Sequence, residues 1–259
     1  MRPARITLPP LIAVAHGSRD PRAAATVGEL RELVSEQAAR HGLPGLDVRV
    51  AFLDHAAPAL PRVLEVVAAE HDRCVVVPLL LTAAFHVKTD IPARVARDRL
   101  GYPLLDVQVA EPLGPHQLLV RALERRLAAA YDGPRAATGV VLAAAGSSDP
   151  SANATIAAIA ASWQDSGGWR RVVPAYASAS SPTPEEAVRE LAADGPVAVA
   201  TYLLAPGFFA DRVRAAALAA GAVAASDALG ALGQVADVVL ERYADAARAE
   251  PAAPLAAEA

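Results

Sequence analysis

The sequence predicts an α/β fold of two tandem flavodoxin-like halves, each a parallel sheet covered by helices, related by internal duplication. Short apolar runs alternate with helix-forming segments along most of the 259 residues, as is typical of parallel sheets wrapped in helices. The run VVVPLLL (75–81) is apolar throughout, which suits a strand covered on both faces. Finally, LIAVAHGSRDPRAAAT from Leu11 overlays VVLAAAGSSDPSANAT from Val140 at a constant offset, and this overlay indicates a repeat.

The first half is predicted to contain four βα units. Asp20 can cap a helix and Pro21 suits its first position, while Gly42 is a plausible left-handed cap at its end. Asp90 and Pro92 predict the start of the third helix. The predicted strands lie at 11–15, 47–53, 74–81 and 106–110. The predicted helices lie at 21–40, 58–69, from 90 onward and at 115–131.

The same pattern restarts after the linker-like segment DGPRAAT (132–138). Later in the chain, YLLAPGFFADR from Tyr202 overlays LLLTAAFHVKT from Leu79. The second half is therefore a divergent copy of the first. The predicted division is 9–131, 139–249 and a Pro/Ala tail at 250–259.

Composition excludes several classes of protein. A net charge of -4 and a pI near 5.9 give no basic field that would draw the protein to nucleic acid or anionic membranes. No segment reaches the ~20 apolar residues of a membrane span, and Pro9 and Pro10 interrupt the signal-like start, so we expect a cytoplasmic protein. Cys74 is the single cysteine, which excludes a disulfide framework and a cysteine metal cluster.

Two histidines lie at equivalent strand ends. His16 follows the first strand, and His86 lies in TAAFHVKTD, the predicted loop after the third. With the strand order 2-1-3-4 these strands are neighbours at a switch point, where ligands bind in open α/β sheets. Asp54, after the second strand, reaches the same edge. The second half has Ala145 and Phe209 in place of the histidines, so we expect this chemistry in one half only.

Two imidazoles and a carboxylate without a thiolate suit a divalent first-row ion with open coordination positions. We expect nitrogens of His16 and His86 to approach within ~6 Å, so that one ion can bridge them. A neutral imidazole can either hold the ion or accept a proton near neutral pH. Which histidine does which stays open, as does the choice among iron, cobalt and nickel.

These motifs bring a family into view. HGSRDP at 16–21, AFLDHAAPAL at 51–60, HVKTDIP at 86–92 and YLLAPGFFADRV at 202–213 together resemble the sirohydrochlorin chelatases in their long two-repeat form. The resemblance covers about residues 9–245. It implies a class II chelatase-like fold and an enzyme that inserts Fe²⁺ or Co²⁺ into sirohydrochlorin on the way to sirohaem or cobalamin.

The resemblance also implies roles for residues. His16 and His86 correspond to the metal-site histidines, and both are expected to be catalytic. Asp54 stands where the family usually carries glutamate, so it is expected to relay protons or contact the metal through water. No tightly bound cofactor is expected, because the metal ion is a substrate. The duplication suggests that one chain makes the whole cleft, so we expect a monomer.

Sirohydrochlorin is rich in carboxylates, so cations and free backbone amides are expected around its site. The backbone N–H groups of Gly17 and Ser18 lie at a helix start and can hold a carboxylate. The expected cations are Arg19, Lys88, Arg212 and Arg214. The expected contacts to the macrocycle face are Leu80, Leu81, Phe85, Phe208 and Phe209.

Other functions fit parts of the pattern. A metallochaperone or tetrapyrrole carrier without catalytic turnover could use the same histidine pair, and it is the main alternative. A flavodoxin-like FMN or nucleotide binder would use the loop after the first strand, but that loop lacks a hydroxyl-rich phosphate cradle. A histidine phosphatase would need arginines around its histidine, whereas Ala15 precedes His16.

Overall fold

A computed structural model describes residues 8–82, 85–98 and 101–249, apart from the side chains of residues 85–90 and 92. Eight strands and eight α-helices alternate along these residues. The strands β1–β8 are Leu11–Ala15, Val48–Phe52, Arg73–Pro78, Asp106–Val109, Gly139–Ala144, Arg171–Tyr176, Val197–Tyr202 and Ala224–Ala225. The helices α1–α8 are Pro21–Ala38, Leu60–Glu70, Phe85–Asp98, Gln117–Ala130, Pro150–Gly167, Pro184–Ala192, Phe208–Ala219 and Gly233–Arg248.

The strands form two parallel four-stranded sheets with the same topology. Their orders are β2-β1-β3-β4 and β6-β5-β7-β8, which confirms the predicted order 2-1-3-4 and its repetition. In the first sheet, Ala15 at the end of β1 pairs with Phe52 at the end of β2. In the second, Ala144 pairs with both Tyr176 and Tyr202. The carboxyl ends of the central strands therefore meet at one edge of each sheet.

The predicted helix start after the first strand is confirmed in both halves. The Asp20 side chain accepts a hydrogen bond of 2.9 Å from the Arg22 backbone N–H, and Asp149 accepts one from Ser151 at the same distance. These carboxylates satisfy N–H groups that have no partner inside the helix. Gly42 has a φ of 72° and closes the short 3-10 turn after α1, as predicted.

The last helix of each half covers the sheet of the other half. Helix α8 packs against β3, β4 and α1, whereas α4 packs against β7 and β8. As a result, one continuous hydrophobic core joins the inner faces of both sheets. The outer faces form two separate clusters, one under α2 and α3 and the other under α6 and α7.

The predicted start of the third helix is wrong. Helix α3 begins at Phe85, so TAAFHVKTD is mostly helix rather than loop. Asp90 and Pro92 carry local start signals, but Pro92 instead occupies an interior position, where it has no N–H to donate to the carbonyl four residues earlier. The repeat locates the start correctly, because α7 begins at Phe208, the counterpart of Phe85.

The third strand is shorter than predicted. It ends at Pro78, and Leu79 makes one more bond to the first strand, from its N–H to the carbonyl oxygen of Val14 (2.8 Å). The residues that follow, Leu80 and Leu81, leave the sheet and line a cavity. Among the described residues, no helix has both the length and the apolarity needed to cross a bilayer.

Candidate active site

His16 and Asp54 lie side by side because the ends of β1 and β2 are hydrogen-bonded to each other. The N–H of Leu53 donates to the carbonyl oxygen of Ala15 at 3.1 Å, and the N–H of Asp54 donates to that of His16 at 2.9 Å. Both His16 and Asp54 are exposed, and both line the same cavity. The structure therefore brings both residues to the same sheet edge, as expected.

Gly17 makes this approach possible. Its φ is +94°, which L side chains rarely adopt, and a Cβ atom built there would lie 1.8 Å from the carbonyl oxygen of Asp54. The residue after His16 thus has to be glycine for two separate reasons. The Gly in HGSRDP sets the distance between the His16 and Asp54 loops.

The second half keeps this backbone geometry without the imidazole and the carboxylate. The N–H groups of Ala177 and Ser178 donate to the carbonyl oxygens of Ala144 and Ala145, both at 2.9 Å. Gly146 has a φ of +83°, and its Cβ would lie 2.0 Å from the carbonyl oxygen of Ser178. Ala145 therefore occupies the position of His16, and Ser178 that of Asp54. The duplicated scaffold has lost its imidazole and its carboxylate on this side.

The loop amides differ between the halves as well. In the second half, the Ser147 N–H donates to the side chain of Asn153 at 3.1 Å. In the first half, Ser18 corresponds to Ser147, but the counterpart of Asn153 is Ala24, which has no side-chain acceptor. Among the described residues the Ser18 amide therefore lacks this partner, which leaves it available to an anion.

His86 is the second residue of α3, so the backbone carries it to the carboxyl edge next to β1. Its side chain lies outside the described residues, as do those of Phe85 and Lys88. The described residues alone contain no cluster of three or more His, Cys, Asp or Glu side chains suited to a metal ion. The bridging of one ion by His16 and His86 stays a prediction.

A cavity of about 830 Å³ lies between the halves and opens beside His16 and Asp54. This volume falls within the range of ~300–1,000 Å³ that is common for small-molecule sites. Both halves contribute apolar walls, which suit a flat hydrophobic ring. The apolar lining consists mainly of Leu53, Leu79, Leu80, Leu81, Ile91, Ile156, Leu203 and Leu204.

Arg94 and Arg97 also line the cavity, and neither was predicted from the sequence. They lie within α3, outside the strand-end loops where cations were predicted. The spacing of Ile91, Arg94 and Arg97 on one helical face would have indicated them. Arg94 is partly exposed and donates to the carbonyl oxygen of Leu53 at 3.2 Å, while Arg97 is largely exposed.

Several predicted substrate contacts are not among the described residues that line the cavity. Arg19 and Arg212 are exposed. Phe208 and Phe209 begin α7 with exposed fractions of 71% and 40%, and their rings pack edge to face at 5.6 Å. Arg214 is engaged elsewhere, because it donates to a backbone carbonyl oxygen at the end of the second sheet. Their roles as substrate contacts stay predictions.

An ion network joins the two halves at the start of α1 and α7. Arg22 contacts Asp20 and Asp211, each at 2.6 Å. The hydrogen bonds from Arg22 hold the pKa of the Asp20 carboxyl below its usual value. These groups are exposed to solvent, so the network orients the α7 start more than it stabilises the fold.

The structure defines a duplicated α/β protein, in which two parallel-sheet halves enclose one cavity. Among the described residues, the imidazole of His16 and the carboxylate of Asp54 line this cavity from the first half only. The chain belongs to the CbiX family, whose model matches residues 10–130 and again 139–246. Each of the two matches covers one half of the duplicated chain.

Comparison with individual proteins agrees with the family. The chain is 29% identical over 170 residues to a sirohydrochlorin ferrochelatase of Bacillus subtilis, covering 63% of this chain and 64% of that protein. It is 26% identical over 210 residues to a sirohydrochlorin cobaltochelatase of Priestia megaterium, covering 78% and 66%. The chain thus spans just under two thirds of the length of these two relatives. The structure of SirB from Bacillus subtilis with Fe³⁺ superposes with a TM-score of 0.79 at 25% identity, covering 92% of this chain and 95% of SirB.

Proposed function

We propose that this protein is a sirohydrochlorin chelatase that inserts Fe²⁺ or Co²⁺ into sirohydrochlorin, in the biosynthesis of sirohaem or cobalamin. Its family and the relatives named as ferrochelatase and cobaltochelatase support this assignment. The observation that carries the proposal is the asymmetric cavity, in which one wall offers His16 and Asp54 and the opposite wall offers Ala145 and Ser147. A flat macrocycle in this cavity meets the metal from one face only.

The reaction requires an ion held beside the ring and a group that removes two pyrrole protons. His16 is exposed on the cavity wall, so its neutral imidazole can contact an incoming ion or accept a proton. Asp54 lies next to it and can pass protons to solvent, since its carboxylate is also exposed. His86, at the start of α3, is proposed as the second imidazole.

The cavity walls are suited to hold the substrate while the ion enters. Leucine and isoleucine side chains from both halves cover the two faces of the ring. Arg94 and Arg97 line the cavity and share the carboxylate of Asp98, at 3.8 Å and 3.0 Å. A guanidinium has five N–H donors, so both arginines can also pair with carboxylates on the ring periphery. The Ser18 N–H, just before α1, can donate a hydrogen bond to one more carboxylate. The protein thereby fixes the ring plane relative to His16.

The chelatase reaction is tested under anaerobic conditions with purified protein, sirohydrochlorin and either Fe²⁺ or Co²⁺, by following the visible spectrum of the tetrapyrrole. We expect wild-type protein to accelerate metal insertion, and His16→Ala and His86→Ala each to lose at least about 100-fold in rate. Asp54→Asn should lose less, because water can replace a proton relay.

His71→Ala is the matched control, because this histidine lies at the opposite edge of the first sheet, just before β3. It should keep the wild-type rate. A wild-type rate no faster than the uncatalysed reaction contradicts the chelatase proposal. Tight binding of one metal or one tetrapyrrole per chain without turnover would instead identify a carrier.

We propose further that a single chain is the active unit, because both walls of the cavity come from one polypeptide. Size-exclusion chromatography with light scattering should give a mass near 26.6 kDa at assay concentrations. A larger particle whose activity falls on dilution would contradict this.

A further inference from the structure

Tyr202 reaches from the second half into the first. It is the last residue of β7, its side chain is 2% exposed, and its hydroxyl donates to the carbonyl oxygen of Leu81 at 3.1 Å. Gly114 leaves space for this contact, because a Cβ there would lie 2.1 Å from that carbonyl oxygen and 2.6 Å from the Tyr202 hydroxyl. Three residues from distant parts of the chain therefore meet at one carbonyl group.

The second half shows how this carbonyl is satisfied without a tyrosine. There, the N–H of Leu229 donates to the carbonyl oxygen of Leu203 at 2.8 Å, and that of Gly230 donates to Leu204 at 2.7 Å. Leu204 is the counterpart of Leu81, and Gly230 is the counterpart of Gly114 in the matching Leu-Gly pair. In the second half, backbone N–H groups of the same half thus satisfy both of these carbonyl oxygens.

In the first half these backbone bonds are shifted by one residue. The N–H of Gly114 donates to the carbonyl oxygen of Leu80, at 3.3 Å, rather than to that of Leu81. The Leu81 carbonyl accepts from the Tyr202 hydroxyl instead. The segment that leaves β3 in the first half is therefore held by a side chain of the other half.

This segment leads directly to the predicted metal site. Leu81 and Thr82 line the cavity, and α3 begins at Phe85 with His86 as its second residue. We propose that Tyr202 is a positioning residue, whose bond to Leu81 fixes the start of α3 and hence the place of His86 relative to His16. The role assigned to His86 rests on the proposed function, whereas the effect of Tyr202 on the backbone does not.

The chemistry of Tyr202 suits this task. Burial raises the pKa of its phenol, so the O–H keeps its proton and remains a donor over the whole working range of pH. Its counterpart in the first half is Leu79, whose side chain has no hydrogen-bond donor. The first half therefore cannot make the equivalent bond to the second half.

The test compares Tyr202→Phe with Tyr243→Phe. Tyr243 is the matched control because it is fully buried, belongs to the second half and donates to a carbonyl oxygen of the first half, that of Pro9, at 2.7 Å. That bond lies before β1, at the edge opposite to the cavity. Each variant therefore removes one buried tyrosine bond between the halves, and only Tyr202→Phe affects the segment before α3.

Three measurements separate positioning from stability. Amide hydrogen exchange at Thr82 and in the first two turns of α3 should accelerate roughly fivefold to tenfold in Tyr202→Phe, as expected for the loss of one hydrogen bond, and stay unchanged in Tyr243→Phe. Titration with Co²⁺ alone, followed by visible absorption, should show roughly tenfold weaker binding in Tyr202→Phe only. In the insertion assay, the same variant should lose kcat with little change in KM for sirohydrochlorin.

Equal exchange at α3 in the two variants, or unchanged Co²⁺ affinity in Tyr202→Phe, would overturn the positioning role. Failure of the wild-type protein to accelerate metal insertion would overturn the proposed function instead. In that case the exchange comparison still decides whether Tyr202 fixes the start of α3.

Discussion

Replacing Gly17 by alanine should impair the site by a distance that the structure defines. The new Cβ would lie 1.8 Å from the carbonyl oxygen of Asp54, and real Cβ contacts are not closer than 3.0 Å, so the two loops must separate by about 1.2 Å. A misplacement of ~1 Å at a catalytic group can cost ~100-fold in rate. We therefore expect Gly17→Ala to lose about 100-fold in metal insertion.

The same substitution should also destabilise the fold. A non-glycine residue at a φ of +94° costs about 1–3 kcal/mol, and the contact with Asp54 adds to this. Gly42→Ala gives the backbone cost alone, about 1–2 kcal/mol, because φ is +72° and no atom lies within 4 Å of its Cβ. In urea unfolding, Gly17→Ala should therefore have a lower free energy of unfolding than Gly42→Ala.

Gly146→Ala is the control that separates the strain of the loop from the geometry around His16. It has nearly the same φ of +83° and a Cβ contact of 2.0 Å with Ser178, but this loop carries no imidazole. It should lose as much unfolding free energy as Gly17→Ala and keep most of its kcat below the unfolding transition, with any loss of activity in KM for sirohydrochlorin, because Gly146 lines the opposite wall of the cavity. Equal losses of kcat in Gly17→Ala and Gly146→Ala would refute the idea that Gly17 sets the catalytic geometry.

Three further outcomes are expected. Replacing Arg94 and Arg97 together by alanine should raise KM for sirohydrochlorin about tenfold without changing Co²⁺ affinity, because the proposed function pairs these cavity-lining cations with carboxylates of the ring; a change in Co²⁺ affinity alone would contradict this. Burial raises the pKa of the Cys74 thiol to about 12, so the native protein should resist thiol reagents at pH 8 and react only on unfolding in urea. Trp163→Ala should cost about 3–5 kcal/mol in urea unfolding, because Trp163 is 1% exposed and donates to Glu124 across the halves at 3.1 Å; a loss below 1 kcal/mol would contradict this.

Local sequence was sufficient for most of the strands and for placing His16 and Asp54 at one sheet edge. Apolar runs bounded by Asp-Pro gave β1 and β5 and the helix starts after them, and the topology rule for open α/β sheets brought His16 and Asp54 to one edge. Both steps depend on neighbours in sequence or on strand order. His86 follows from the same rule, and its contact with a metal ion remains a prediction.

The contacts between the halves could not be read from the sequence. Helical periodicity shows that α4 and α8 each have an apolar face, but it does not say which sheet that face covers. The bond from Tyr202 to Leu81 depends on a one-residue shift of backbone pairing, which leaves no trace in composition or periodicity. The local start signals at Asp90 and Pro92 also misplaced the helix start, because α3 begins earlier, at Phe85.

The covering of each sheet by the final helix of the opposite half has a consequence for how the molecule holds together. A protease cut within 132–138 would produce two fragments, each with a sheet face that has lost one of its covering helices and an apolar helix that has lost its sheet. The fragments should therefore stay associated, and the intact chain should melt in one cooperative transition. A chain of half this length could cover the same apolar surfaces only by exchanging its last helix with that of a second copy. Fusion of two such copies would turn that intermolecular exchange into a fixed feature of one polypeptide.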